Sequence, residues 1–369
     1  MKTHRLLQLD GLRFFMIVTI ILSHFDFIYR YSYGKIYGMY FDTSTLAVDY
    51  FFMLSGFGLM YDDALKSVST LSLKCNNITF AIDRIKKIYP LYVFSLILSV
   101  PYDIIPISAN AVLKEFILFC SCLSLSQSIT GMYKFPHAIN AVCWFLSTLF
   151  ICYIFVPFFI KICNNYIKNM QKIFITTAFA ITIIIILTLL FAKMDGANIG
   201  FDALTYTSPF IRCFYVFLGM IIAKLHILIK DNRNIRKSSL IFFEYSIVAI
   251  AFIYTLFRNS ITLTSIQKRF FDIIICFFML LIISFGYGKI SKILSKPTLT
   301  KLGQCAMYPY LLHYPCVRYI DRIFTHYDIN INGNITCIIE IITIIISTIL
   351  LSLVAKNIIN WLNNPVRTI

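Results

Sequence analysis

Ten apolar stretches, each close to the length that crosses a lipid bilayer, limit the possible folds of this chain more than any other feature. A spanning helix needs about 20 mostly apolar residues, because its backbone polar groups must be hydrogen-bonded within the segment. The stretches are 11–29, 46–61, 88–106, 139–160, 173–192, 209–229, 239–257, 270–287, 303–320 and 335–355. They predict an all-α fold, a polytopic transmembrane helical bundle of about ten spans. We expect residues 1–369 to form one integral-membrane domain with no appended soluble domain.

Composition and charge agree with a membrane protein. Of the 369 residues, 59% are hydrophobic and only 14% are charged, too few charges to cover a soluble surface of this size. The net charge of +16 is spread between the apolar stretches. It therefore favours basic loops that face anionic membrane lipid over nucleic-acid binding. The eleven cysteines lie mostly in apolar stretches without metal-ligand spacing, so we expect buried thiols and no metal site.

The charge of the loops predicts the topology. An additional apolar segment, 111–129, begins with Lys114 and Glu115 and ends in a serine-rich tail. If it does not span, lysine and arginine concentrate on the side of the N-terminus, which is the cytoplasmic side. If it does span, the charge pattern of the C-terminal half inverts. We therefore predict ten spans with both termini cytoplasmic, and a segment 111–129 that is re-entrant or lies at the outer surface.

The first apolar stretch contains two ionisable residues, Arg13 and His24, in "LRFFMIVTIILSHF". Such residues are costly inside a span, so each is a functional hypothesis. Eleven residues of helix bring both to one face, about 16 Å apart along the axis. Asp10 lies one turn before Arg13 and can pair with it. An imidazole can take a proton from a hydroxyl group as a general base. The alternative is an interfacial arginine anchor and a hydrogen-bonded packing histidine.

Two further stretches place charges beside apolar residues. Asp49 in "VDYFFMLSGFGLM" could orient an imidazole of a neighbouring helix, and Ser55 and Gly56 are small enough for close helix packing. Arg84 and Lys87 belong to a basic cluster in "DRIKKIYPLY". The cluster is either ordinary cytoplasmic loop charge or a site for a polyphosphorylated ligand.

Three more residues stand out in the second half of the chain. Trp144 in "CWFLSTLF" is expected near the outer interface, where tryptophans form aromatic belts. His313 in "MYPYLLHYP" lies between Pro309 and Pro315, which we expect to break the helix and leave polar backbone groups at a cavity. For Arg212, a buried ion pair and a catalytic role are both open.

Taken in order, these segments resemble the integral-membrane acyltransferase-3 family, whose members include bacterial O-acetylases of cell-surface polysaccharides. The opening signature of that family, an arginine followed after ten residues by a histidine, is similar to "LDGLRFFMIVTIILSHF". The other similar segments are "VDYFFMLSGFGLM", "DRIKKIYPLY", "CWFLSTLF", "RCFYVFLGM" and "MYPYLLHYP". The likeness covers nearly the whole chain.

The chain departs from the family pattern at three places. Lys87 replaces the second arginine of the basic cluster, which keeps the charge and loses the bidentate fork. Leu149 replaces a glutamate of many members, two residues after the serine of "WFLS". Asn364-Pro365 replaces a Glu-Pro pair near the C-terminus. These departures indicate a subgroup and leave the substrate class open.

The resemblance implies a membrane O-acyltransferase of a bacterial inner or plasma membrane. Its donor would be acetyl-CoA or another short acyl-CoA, and its acceptor a hydroxyl of a cell-surface polysaccharide or sugar-lipid precursor. The residues expected to act are His24, Arg13 and Asp10 in catalysis, Arg84 and Lys87 in donor binding, and Asp49, Trp144, Ser147 and His313 in substrate binding. Direct transfer and an acyl-histidine intermediate are both open, as is the oligomeric state.

The competing function is a transporter or flippase for a glycan or a small anionic solute, without covalent chemistry. Many spans with intramembrane arginine and histidine also suit substrate movement. We find no pair of spans broken by glycine or proline at matching positions in two halves of the chain, which weakens this alternative.

Overall fold

The fold is helical, as predicted. The computed structural model describes residues 5–41, 44–65, 76–103, 109–129, 137–193, 202–232, 236–260, 262–329 and 333–363, and these residues contain no β-strand. The Asn364-Pro365 pair considered in the sequence lies outside the described residues.

The α-helices follow one another with short connections. They are α1 (Leu7–Leu22), α2 (Gly34–Tyr40), α3 (Ser44–Leu65), α4 (Asn77–Ile85), α5 (Tyr89–Asp103), α6 (Ala109–Leu123), α7 (Trp144–Asn165), α8 (Met170–Lys193), α9 (Pro209–Asp231), α10 (Lys237–Phe257), α11 (Ser265–Ser284), α12 (Lys289–Leu294), α13 (Pro297–Gln304), α14 (Met307–His326) and α15 (Gly333–Asn363). Short 3₁₀ turns occupy Asp26–Arg30 and Ala141–Cys143, and a π turn occupies Asp202–Tyr206.

Each of the ten predicted spans coincides with a helix. Among the described residues, five helices are long and apolar enough to cross a membrane by length and composition. They are Ala141–Asn165, Met170–Ala192, Leu204–Asp231, Lys237–Phe257 and Gly333–Trp361. The other five predicted spans correspond to α1, α3, α5, α11 and α14. The number of spans and the side of the termini stay predictions.

The two helices α3 and α9 pack with their backbones in direct contact. A Cβ atom added to Gly56 would overlap the carbonyl oxygen of Val216, and one added to Gly219 would overlap that of Met53. The close packing expected at Gly56 is therefore confirmed. Ser55 does not share this role, because its hydroxyl donates to the carbonyl of Phe51 at 2.8 Å.

A second close approach places the end of α13 beside α1. A Cβ atom added to Gly303 would overlap the carbonyl oxygen of Asp10. This contact brings the start of α14 alongside α1, and α14 then continues unbroken through Pro315. The predicted helix break at Pro315 is therefore wrong. Pro309 lies in the first turn of α14, where the backbone N–H has no partner within the helix and proline is tolerated.

The ambiguous segment 111–129 forms α6 and a buried turn. After α6 ends, Leu125 adopts a left-handed conformation with φ of 54°. The hydroxyl of Tyr92 donates to the carbonyl of Cys122 at 2.7 Å, and the amide of Gln127, fully buried, donates to the Tyr92 oxygen at 3.1 Å. Irregular backbone at membrane depth is tolerated where protein surrounds it. The arrangement supports the re-entrant interpretation, and the depth of the segment in the membrane stays a prediction.

Candidate active site

Two histidines meet where α1 ends and α14 passes it. The Nε2 atom of His313 lies 3.4 Å from Nδ1 of His24, and the ring centroids are 5.0 Å apart. Because α1 ends at Leu22, His24 lies in the turn that follows, not on the continuous helix that the sequence suggested. His313 is fully buried, whereas His24 is partly exposed.

The neighbouring carbonyl groups determine which nitrogen carries hydrogen in each ring. Nδ1 of His24 lies 2.8 Å from the carbonyl oxygen of Ile20, and Nδ1 of His313 lies 3.0 Å from that of Pro309. A carbonyl oxygen only accepts, so in the neutral state both Nδ1 atoms carry hydrogen. Nε2 of His313 is then an acceptor beside the Nδ1–H of His24. The lone pair of His24 is on Nε2, the form that a general base requires.

Side chains from the start of α7 fix α14 in this position. The Tyr310 hydroxyl donates to the carbonyl of Val142 at 2.8 Å, and the Asn140 amide donates to the carbonyl of Leu311 at 3.0 Å. These atoms are buried, where a hydrogen bond is costly to lose. His313, one turn after Tyr310, is therefore held at a defined height beside His24.

A cavity of about 350 Å³ lies between α1, α3, α5, α7 and the α13–α14 junction. Its lining residues are Arg13, Ile17, Ile20, Val48, Phe51, Leu54, Ser55, Lys87, Ile88, Leu91, Phe145, Leu149, Tyr153, Gly303, Gln304, Ala306, Met307, Tyr308 and Tyr310. We call the part at Arg13, Lys87 and Gln304 the basic end. The part at Ile20, Phe145 and Tyr310 is the inner end.

The inner end of the cavity approaches the histidine pair. The rings of Phe145 and Tyr310 are 5.6 Å apart, and the carbonyl of Ile20 accepts from His24. Ile20 precedes His24, and Tyr310 precedes His313, by about one helical turn. Neither imidazole is among the described residues that line the cavity. The cavity thus connects the basic end to a point one turn short of the two rings.

Asp10 organises the basic end. This buried carboxylate accepts hydrogen bonds from Nε and Nη2 of Arg5 at 2.6 and 3.0 Å, and from Nε2 of Gln304 at 3.3 Å. The expected pair with Arg13 is present at 3.3 Å. Because Arg5 holds Asp10 at shorter distances, Arg13 is the less tightly bound partner. The Arg13 side chain is 35% exposed, so part of it is accessible to a ligand.

A second cavity of about 290 Å³ adjoins the first one at its basic end. The two cavities share Arg13 and Leu54 in their walls, and the second is also lined by Arg5 and Asp62. Arg13 therefore belongs to both spaces.

The two residues predicted to bind the donor lie differently. Lys87 lines the basic end of the first cavity and is exposed. Arg84 is not among the described lining residues, and its guanidinium group lies 5.1 Å from the ring centroid of Phe80 on α4. The structure therefore places Lys87 in the cavity and Arg84 one turn away from it.

A comparison with known protein families now identifies the chain. A family model described as an acyltransferase domain matches residues 6–356, nearly the whole length. The chain belongs to this acyltransferase family. No curated protein and no solved structure matches it. Membership confirms the resemblance seen in the motifs, and the long apolar helices make the protein an integral membrane acyltransferase.

Asp49 has a different partner from the imidazole that the sequence suggested. In this acyltransferase it forms a buried ion pair with Arg212 on α9, and both side chains are almost completely inaccessible to solvent. Aromatic rings cover the Arg212 guanidinium group, with centroids at 4.7 Å for Tyr215 and 4.8 Å for Tyr206. The pair therefore joins α3 to α9, and of the two roles open for Arg212 the structure shows buried pairing.

Trp144 and Ser147 also have structural partners. Trp144 is buried with its ring 5.0 Å from that of Tyr206, so it does not lie in an interfacial aromatic belt. The Ser147 hydroxyl donates to the carbonyl of Leu125 at 2.7 Å and accepts from the backbone N–H of Ser128 at 3.2 Å. Ser147 thereby holds the buried turn after α6. Neither residue is among the described residues that line the cavity.

Several polar cavity residues were not identified from the sequence. Tyr153 carried a signal, because Phe145, Leu149 and Tyr153 follow one another at intervals of four and so share a face of α7. Gln304 and Ser55 carried none, since their positions depend on contacts between helices that are distant in the sequence.

Proposed function

We propose that this acyltransferase moves an acetyl or another short acyl group from cytoplasmic acyl-CoA to a hydroxyl of a cell-surface polysaccharide or sugar-lipid precursor, within a bacterial inner membrane. One observation carries the proposal. A single cavity begins at Arg13 and Lys87 and ends one helical turn from the His24–His313 pair. Such a cavity suits a long ligand with an anionic head and a reactive end.

The polar groups of the cavity fit the parts of the donor. Cationic side chains bind phosphate groups by charge-assisted hydrogen bonds, which is the role assigned to Arg13 and Lys87. The second cavity offers space for the nucleotide. Polar side chains of Ser55, Tyr153 and Gln304 line the first cavity, where the amides of the pantetheine arm would pass.

The chemistry uses the lone pair of His24. Nε2 takes the proton of the acceptor hydroxyl while the oxygen attacks the thioester carbonyl carbon. A carbon–oxygen bond forms and the carbon–sulfur bond breaks. The proton on Nε2 then passes to the departing sulfur, which leaves an ester and the free thiol of CoA. In the alternative route, Nε2 itself carries the acyl group before the hydroxyl attacks.

His313 supports the charge that develops on this imidazole. When Nε2 of His24 is protonated, the ring is cationic and its Nδ1–H becomes a stronger donor. Nε2 of His313 and the carbonyl of Ile20 are the acceptors on that side. His313 is therefore assigned as a positioning residue, and its buried site keeps the acceptor geometry fixed.

The proposal is tested with purified protein in liposomes and labelled acetyl-CoA added on the side of the basic end. The enzyme predicts release of CoA thiol and appearance of label in ester linkage when an extract of bacterial membrane glycolipids is supplied. Passage of intact glycolipid or acetyl-CoA across the bilayer, with the thioester preserved, would instead support the transporter. Labelled enzyme trapped by rapid acid quench would distinguish the acyl-histidine route from direct transfer.

A further inference from the structure

The first cavity changes in chemical character along its length. Its basic end carries Arg13, Lys87 and Gln304. Towards the histidines, the walls are formed by aliphatic and aromatic side chains from four helices: Ile17, Ile20, Val48, Phe51, Leu91, Phe145 and Leu149. The hydroxyl of Tyr310 at this end is already bonded to the carbonyl of Val142. The inner part therefore offers a hydrocarbon surface and suits a hydrocarbon ligand.

We propose that the inner part of the cavity is a pocket for the acyl chain of the donor, and that Leu149 limits the length of that chain. This inference rests on the proposed function, since it presupposes an acyl-CoA whose head lies at the basic end. The acyl group is then the part of the donor nearest the histidine pair. Its alkyl chain must turn aside from the attacking hydroxyl, and the apolar wall beside the inner end receives it.

Position and volume single out Leu149. It lies on α7 between Phe145 at the inner end and Tyr153, on one face of the helix. Phe145 is fixed among other rings, at 4.7 Å from Phe52 and 5.6 Å from Tyr310, so its removal would disturb the packing of the bundle. A cavity of 350 Å³ is near the lower limit of about 300 Å³ for small-molecule sites. The donor arm leaves space for only a short chain.

The test compares two leucine variants of the same helix. Leu149→Ala enlarges the cavity, whereas Leu146→Ala removes the same atoms from a fully buried residue that is not among the described lining residues. Thiol release is measured from acetyl-CoA, butyryl-CoA and hexanoyl-CoA with the full chain in liposomes. In Leu149→Ala, the ratio of kcat/KM for hexanoyl-CoA to that for acetyl-CoA should rise about tenfold or more, because each methylene in an apolar pocket contributes roughly tenfold or more to discrimination. In Leu146→Ala the ratio should stay that of the wild type.

A variant of opposite sign protects the test against misfolding. Leu149→Phe narrows the pocket and should lower the use of butyryl-CoA relative to acetyl-CoA. If acetyl-CoA is consumed but neither Leu149 variant changes the chain-length ratios, or if Leu146→Ala changes them equally, the acyl-pocket inference is overturned. If the wild type consumes none of the three thioesters, the proposed function itself has failed.

Discussion

His24 and His313 are 289 residues apart in the chain, and their imidazole nitrogens lie 3.4 Å from each other. The turn after α1 supplies one ring and the middle of α14 supplies the other. The carbonyl groups of Ile20 and Pro309 fix a hydrogen on Nδ1 of each ring. The result is one imidazole with its lone pair on Nε2 and a second one that supports it.

Replacement of His24 should abolish acyl transfer without removing the protein from the membrane. The variant His24→Gln keeps a polar side chain and loses the base, so the rate should fall by about a hundredfold or more. Thiol release and protein abundance in membranes are measured together. His326→Gln, an exposed histidine at the end of α14, is the matched control and should keep wild-type activity. Full activity of His24→Gln would exclude His24 as the base.

Replacement of His313 should slow turnover while donor binding stays unchanged. His313→Ala removes the acceptor beside Nδ1 of His24, so kcat should fall roughly tenfold to a hundredfold with the donor KM near its wild-type value. His313→Gln can still accept a hydrogen bond through its amide oxygen and should recover part of the rate. A purely structural role would instead lower the amount of folded protein, and both variants would then show normal turnover per folded molecule.

The two basic residues before α5 should differ in their effect on the donor. Lys87→Ala should raise the donor KM roughly tenfold, because it removes a hydrogen bond from a charged donor to phosphate at the cavity wall. Arg84→Ala should have a smaller effect, since its guanidinium group lies over Phe80. Initial rates against acetyl-CoA concentration provide both values. A larger effect at Arg84 would move the phosphate site away from the cavity.

Two glycines of α3 should respond in opposite ways to alanine. Gly56→Ala places a methyl group against the carbonyl of Val216 and should destabilise the protein by about 1–3 kcal/mol. Gly58→Ala meets no heavy atom of the described residues within 4 Å and should be neutral or stabilising by roughly 0.5–1 kcal/mol, because alanine favours the helix. Thermal unfolding in detergent ranks the two variants. Equal melting temperatures would contradict the direct backbone contact of α3 with α9.

Loss of the Asp49 carboxylate should leave the buried Arg212 charge without its partner. Asp49→Asn should therefore cost about 3–5 kcal/mol of folding stability. Asp83→Asn removes the carboxylate of the Lys86–Asp83 pair, which is more than half exposed, and should cause little change. Melting temperature and activity per folded molecule are both recorded. A stable Asp49→Asn protein with no turnover would show that Asp49 acts in the reaction.

The sequence by itself determined the fold class, the family and the residues of the basic end. Hydropathy and spacing are local properties, and a bilayer requires helices wherever about 20 apolar residues follow one another. The pair of Asp10 with Arg13 is also local, since the residues are one helical turn apart. The motif order of the acyltransferase family needed no contact between helices.

Only the tertiary structure decided the partners of the buried groups. Asp49 pairs with Arg212, Gln304 reaches Asp10, and His313 reaches His24, each across more than one helix of chain. These contacts depend on the closeness of the helices, which glycines such as Gly56 and Gly303 permit. A linear pattern contains no information on that distance, because it comes from side-chain volumes on both sides of each interface.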